Sequence, residues 1–218
     1  MMEKKKRATP WKPGKVISIS LRNGVYVLAQ MVRDPYLVFF NHFNEENNWK
    51  GVTLKEEDIL FCKAVTRQFL RYSPVAIIKE VTPLLDYELP KEWIYSHIGG
   101  HPMTVSVKGR ERQLAGFGRR CSLVLADKDS GQPEDNPLMG LFQAYIIPDI
   151  KEQDWDRVGQ AEHMSIEVFP TLNERLYLCF LYGKNINPEQ DISLGKPLLD
   201  DYETYIDILT NSPEARRL

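Results

Sequence analysis

The sequence predicts an α+β fold, predominantly antiparallel β-strands, with a small N-terminal β-meander and a C-terminal amphipathic helix. Three observations predict it. Val16–Leu21 alternates apolar residues with Ser, and two turn signals, Asn23-Gly24 and Asp34-Pro35, divide residues 16–40 into three strand-length segments. Short apolar runs separated by Gly and Pro continue through most of the chain. Leu198, Leu199, Tyr202, Tyr205, Ile206 and Leu209 then recur at helical spacing across Pro197–Thr210.

The meander is the clearest element. Val16–Leu21 alternates β-branched residues with Ser, which puts Ser18 and Ser20 on a solvent face. Asn-Gly supplies the positive φ angles of a two-residue hairpin turn. Val25–Val32 returns as a second strand, Asp34-Pro35 breaks it, and Tyr36–Phe40 makes a third, with His42 in the loop beyond. Thr53, with Glu56 three residues on, fits a capping box. Phe61–Tyr72 and Val75–Val81 read as strands, and Pro90 opens a short helix through Tyr95. Gly99, Gly100 and Pro102 mark a boundary. Beyond it, Met103–Val107, Leu123–Ala126, Gly140–Ile147, Ser165–Phe169 and Arg175–Tyr182 are strand candidates, and Ser130–Pro137 is an exposed loop. The organisation expected is a basic tail at 1–10, a β-rich domain at 11–95, and an α+β region at 96–218 that packs as a separate unit or with the first.

At 218 residues, the chain is long enough to bury a sizeable core. Apolar residues make up 43% and charged residues 27%, an ordinary balance for a globular protein. A net charge of −2 gives no global attraction to nucleic acid or to an anionic membrane. Cys62, Cys121 and Cys179 are far apart, and two of them sit in apolar runs, the pattern of buried reduced thiols. Close-spaced ligand pairs for zinc are missing. The basic start, Met-Met-Glu-Lys-Lys-Lys-Arg, is followed by no apolar segment, so neither a secretory signal nor a membrane span is expected and the cytoplasm is the expected compartment.

Trp11-x-x-Gly14, the strand Val16–Leu21, the Asn23-Gly24 turn, Ala29-Gln30 in the next strand and the apolar strand ending Phe39-Phe40-Asn41 together resemble the immunity protein 26 family. The resemblance spans roughly residues 11–95. It implies a small β-rich bacterial protein, encoded beside a polymorphic or contact-dependent toxin, that binds and neutralises that toxin without a cofactor. It does not specify the toxin.

The remaining motifs test this against chemistry. His97 and His101 have the spacing of metal ligands on a helix, but Gly99, Gly100 and Pro102 oppose a helix there, and the reading left is a turn with polar imidazoles. A small hydrolase using His97 or His101 beside a carboxylate is the competing enzymatic reading, and His163 could serve as a base if a nucleophile faced it. Residues 1–15 carry six basic residues against Glu3, and residues 101–120 carry Lys108, Arg110, Arg112, Arg119 and Arg120 against Glu111. A nucleic-acid-associated module would use these, although a partner for the chain's own acidic segments explains the second cluster better. Gly116-x-Gly118 is too short for a phosphate loop.

The acidic pole is the stronger binding signal. Residues 127–162 hold nine acids against three bases. Asp149, Glu152, Asp154 and Asp156 surround Trp155, and the C-terminal helix adds Asp200, Asp201, Glu203 and Asp207. Carboxylates steer a basic partner and an aromatic ring anchors it. The expected interface with a basic toxin domain is therefore Asp149, Glu152, Asp154, Trp155, Asp156, Asp200, Asp201 and Glu203.

Overall fold

A computed structural model describes residues 9–97, 99, 101–126, 142 and 144–210. In chain order these form β1 (Val16–Ser20), β2 (Tyr26–Met31), β3 (Tyr36–Asn44), β4 (Ile59–Val65), α1 (Phe69–Tyr72), β5 (Val75–Ile78), β6 (Glu92–His97), β7 (Met103–Val107), β8 (Arg110–Leu114), β9 (Arg120–Leu125), β10 (Ala144–Ile147), α2 (Trp155–Val158), β11 (Glu162–His163), β12 (Ile166–Glu167), α3 (Thr171–Tyr182), α4 (Pro188–Ser193) and α5 (Glu203–Leu209). The fold is α+β with mostly antiparallel sheets. Residues 1–8 of the expected tail at 1–10, and the expected loop at 130–137 together with Asp127, Asp129, Glu134 and Asp135, lie outside the described residues.

Two compact units divide the chain, and both are discontinuous. One holds residues 1–88 and 165–186 together with 211–218; the other holds 89–164 and 187–210. The expected boundary at 96–102 falls instead inside the second unit, just after β6.

In the first unit a six-stranded sheet runs in the order β12-β4-β3-β2-β1-β5. β1 to β3 make the expected three-stranded antiparallel meander, β4 extends it by a fourth antiparallel strand, and β12 joins β4 in parallel. The Trp11-x-x-Gly14 motif clips the entry. The Trp11 indole N–H donates to the Val32 carbonyl at 3.2 Å, and the Gly14 N–H, with φ +77°, donates to the Met31 carbonyl at 2.8 Å. Asn23 and Gly24 have φ 59° and 74°, but the turn has three residues: Leu21 N–H donates to the Val25 carbonyl across Arg22–Gly24.

Both faces of this sheet are covered. Ile17, Ala29, Phe39 and Phe61 stand in register across four strands. Arg175 of α3 lies over the Phe61 ring, 3.7 Å from its centroid, on this face. On the other face Ser18 is buried, donating to Asn47 Oδ1 at 2.6 Å and accepting from the Trp49 indole at 3.2 Å. Gln30 pairs with both the N–H and the C=O of Leu84. The expectation that Ser18 faces solvent is therefore corrected: a segment beyond the meander folds back over that face.

Other expectations give way for similar reasons. Arg175–Tyr182 belongs to helix α3, buried on nearly every side, rather than to a strand. Gly183 ends it in the left-handed conformation, φ 63°. Ser165–Phe169 contributes only the two residues of β12. Phe61–Tyr72 splits into β4 and α1. His42 lies within β3, its Nε2 3.1 Å from Asp58 Oδ2. Thr53 bridges Thr82, and the turn at Glu56–Asp58 is closed by Asp58 Oδ2 accepting from Lys55 N–H at 3.3 Å. All three cysteines are free and buried, as expected.

In the second unit a four-stranded sheet runs β10-β9-β6-β11, beside the hairpin β7-β8. Glu92–His97 is the strand β6, not a helix, because it pairs on both sides, antiparallel with β9 and parallel with β11. One face of this sheet makes the core: Ile94, Cys121 and Leu123 pack with Ile150 and Val158. Asn187 caps α4, its Oδ1 accepting from Gln190 N–H at 3.1 Å, with Pro188 at the first helical position. The expected C-terminal helix becomes a tight turn, Asp200–Tyr202, followed by α5. Among the described residues no helix is long and apolar enough to cross a membrane.

Candidate functional site

The acidic segment around Trp155 is a rigid turn. Lys151 N–H donates to Asp154 Oδ2 at 2.9 Å and closes Glu152–Asp154, which runs straight into α2. Trp155 is half-buried against the Ile94 core, and the Lys196 ammonium lies 5.4 Å from its ring centroid. The ring thus anchors the turn to its own unit. Asp149 is held by Lys151 at 2.7 Å, and that bond pulls its carboxyl below the usual range. Arg157 is taken by Glu92, at 2.7 and 2.8 Å. Glu152 and Asp156 are exposed and form no ion pair among the described residues.

The second acidic group is divided between two roles. Glu203 accepts from Lys108 at 2.9 Å and from Arg110 at 3.2 Å, and Asp207 accepts from Arg112 at 3.1 Å. The hydrogen bond to Lys108 lowers the Glu203 carboxyl and raises the Lys108 ammonium. The basic hairpin β7-β8 is therefore matched by α5 of the same unit. Asp200 and Asp201 are exposed in the preceding turn, close enough for their charge to reach Lys108. Of the eight expected interface residues, the structure engages Asp149, Asp154, Trp155 and Glu203 within the unit. Glu152, Asp156 and Asp200 stay exposed, and Asp201 is exposed too, though not without contacts of its own.

His97 lies on the other face of the second sheet. Tyr95 meets its ring edge-on at 4.9 Å, Tyr145 of β10 lies nearly parallel at 6.4 Å, and Phe142 touches both tyrosines. Burial lowers the imidazole's proton affinity, the neighbouring Arg120 lowers it further, and Asp149 opposes them. His97 Nε2 is 2.8 Å from Ser122 Oγ, superficially a nucleophile and its base. The hydroxyl proton goes elsewhere, however. Ser122 Oγ is 2.6 Å from the Pro148 carbonyl, which can only accept. Ser122 therefore accepts from His97 Nε2–H, and it is fully buried. This pair orients a ring and does not activate a nucleophile. His101 is exposed in the turn beyond β6. His163 is buried, its Nδ1 2.9 Å from Ser96 Oγ, and Ser96 also reaches Cys121, whose thiol burial pushes up. No group of three or more His, Cys, Asp or Glu that could hold a metal occurs among the described residues.

Three features went unanticipated. In the first unit Arg22 pairs with buried Glu174, and Lys63, fully buried, lies 2.9 Å from Ser165 Oγ and 3.6 Å from Glu167. Lys63 interrupts an apolar run in the sequence, a signal that it needs a buried partner. In the second unit, a cleft of about 540 Å³ runs along β7, opposite residues 192–198. Its walls are discontinuous in sequence, so no local pattern announces it.

Comparison with known proteins places this geometry beside little else. No curated protein matches the chain, and no solved structure does. Residues 5–110, from the basic tail to the first residue of β8, match the family model of a domain of unknown function (DUF8309).

Proposed function

We propose that this chain is an immunity protein that binds a cognate bacterial toxin domain acting in the cytoplasm and neutralises it by occlusion, with no cofactor. The observation that carries the reading is the acidic turn of the second unit. Glu152 and Asp156 project from a turn whose Trp155 packs half-buried against the core, so the charges are pre-organised and little ordering entropy is lost on binding. A basic toxin domain complements such a surface. The resemblance of the meander to immunity proteins supports the same reading. The hydrolase alternative, His97 or His101 beside a carboxylate, gains no nucleophile from Ser122, whose hydroxyl donates its hydrogen bond to the Pro148 carbonyl. The nucleic-acid alternative loses support because the hairpin's cations are matched by Glu203 and Asp207.

The test is co-expression with the toxin encoded beside this gene, followed by surface plasmon resonance. Neutralisation persists when His97 and His101 are both replaced by Ala. Glu152→Lys with Asp156→Lys slows association, most at low salt, where screening is weakest. Unchanged association by a folded double variant removes the acidic turn from the interface. Loss of neutralisation in the His variant, with folding and binding intact, favours an enzymatic antidote.

A further inference from the structure

The strand β7 carries an edge that its own sheet leaves open. Among the described residues it pairs only with β8, through a two-residue turn at Lys108-Gly109, with φ 49° and 71°. That turn makes Val107 and Arg110 a hydrogen-bonded pair, as are Val105 with Arg112 and Met103 with Leu114. The N–H and C=O groups of Thr104 and Ser106 therefore point away from β8. No described residue bonds them, and both residues are exposed. This edge lines the 540 Å³ cleft, opposite Ile192–Leu198.

The cleft's chemistry selects its occupant. Met103, Val105, Ile192 and Leu194 supply apolar walls. Arg119 and Lys196 supply positive charge, and the lining holds no Asp or Glu. Lys196 is shared with Asp191 at 3.6 Å, whereas Arg119 is exposed and forms no ion pair among the described residues. An open strand edge gives main-chain hydrogen bonds to any extended segment, and flanking pockets choose its side chains.

We propose that the open edge of β7 is a peptide-docking site, which takes an extended segment of a partner protein with apolar residues at alternate positions and a carboxylate facing Arg119. The segment adds as a third strand beside β7, bonding Thr104 and Ser106 and placing its apolar side chains against Ile192 and Leu194. The site goes beyond the toxin reading and does not depend on it, because its chemistry is the reverse of the acidic turn's.

The test uses the full chain, ¹⁵N-labelled, and a capped hexapeptide alternating valine and glutamate. NMR titration to about 1 mM peptide is expected to shift the Thr104 and Ser106 amides and slow their hydrogen exchange at least tenfold. The same peptide with alternate amides N-methylated, and one alternating valine and lysine, bind at least tenfold more weakly. Arg119→Glu weakens the glutamate peptide by a similar factor. Ser106→Pro removes an outward donor without touching the ladder to β8 and abolishes the protection. If that variant misfolds, the N-methylated peptide still decides. Absence of shifts, or equal binding of the N-methylated peptide, overturns the proposal. Sedimentation showing a dimer that Ser106→Pro dissolves also overturns it, and assigns the edge to a second copy of this chain.

Discussion

Arg22 grips Glu174 with two parallel hydrogen bonds, Nε to Oε2 at 2.9 Å and Nη2 to Oε1 at 3.0 Å, and its guanidinium lies 3.7 Å from the Tyr177 ring centroid. A turn of the meander is thereby fastened to the first half of α3. Glu174 is buried, and burial pushes its carboxyl up despite the arginine. Removing the arginine leaves an unpaired buried carboxylate. Because a third of the Arg22 side chain reaches solvent, Arg22→Ala is expected to cost about 2–3 kcal/mol, less than breaking a fully buried pair.

That variant also carries a pH signature. A carboxyl whose folded-state pKa is raised contributes stability that is complete below its unfolded value and lost as pH rises through the folded value. Without Arg22 the folded value rises further. The deficit of Arg22→Ala is therefore largest at neutral pH and shrinks as pH falls toward 5, and Glu174→Gln in the same chain flattens the profile. Thermal melts across that range check both. A deficit that grows on acidification would contradict the assignment.

Gly118 tolerates no side chain. A Cβ there would collide with the backbone carbonyl of His97 at the end of β6, two residues before β9 begins. Gly118→Ala is expected to cost about 3 kcal/mol or more, since neither strand can yield without losing its ladder. Denaturant midpoints measure it. Gly116→Ala makes the instructive contrast. Open space surrounds that position but φ is +82°, so the cost should be only about 1 kcal/mol.

The pairing of hairpin and helix α5 is electrostatic and should behave so. The lowered Glu203 loses its contribution as pH falls below the ordinary glutamate range, and the raised Lys108 loses its own as pH rises past the ordinary lysine range. Between roughly pH 4.5 and 10.5 both are charged. Hydrogen exchange at the hairpin amides, corrected for intrinsic rate, should accelerate at pH 3–4 and in molar salt while the β6–β9 amides stay protected. Glu203→Gln should weaken the hairpin's dependence on salt, the remainder resting on Asp207 and Arg112.

Trp155 offers a stability test of the rigid acidic turn. Because it is half-buried against the Ile94 core, Trp155→Ala is expected to cost about 2–3 kcal/mol, below the range for a fully buried tryptophan. Lys196→Ala, which removes a cation from the ring face, should cost about 0.5–1 kcal/mol. Asp191→Asn, which removes the other partner of Lys196 at 3.6 Å, is the control that separates the cation contact from the ion pair.

How much of this was legible depends on where each residue's partners lie. The meander was readable because its alternation, Asn23-Gly24 and Asp34-Pro35 are local signals. Helix α3 was not. Arg175–Tyr182 is apolar on nearly every side, so it shows no amphipathic period and resembles a buried strand. The better cue was the bracket of Pro170 and Gly183 around twelve residues. Pro90 suggested a helix start, but pairing on both sides of β6 outweighs local preference. In the acidic pole, composition identified the charged residues and could not tell which ones the chain uses itself. Glu203 and Glu152 look alike in sequence; only the fold brings Lys108 and Arg110 to the first.

The parallel pair Ile166↔Ala64 closes the first sheet across a hundred residues of intervening chain. A ribosome that has just released β4 therefore holds an unfinished core. Phe39 and Phe61 stay without Arg175 and α3 until Tyr182 is made, roughly 6–25 s later at ordinary elongation rates. During that interval the second unit's strands emerge beside exposed apolar surface. Nascent chains of this protein should accordingly depend on holding chaperones. A fragment ending near Arg110 should aggregate, because it carries the meander without the helix that seals it.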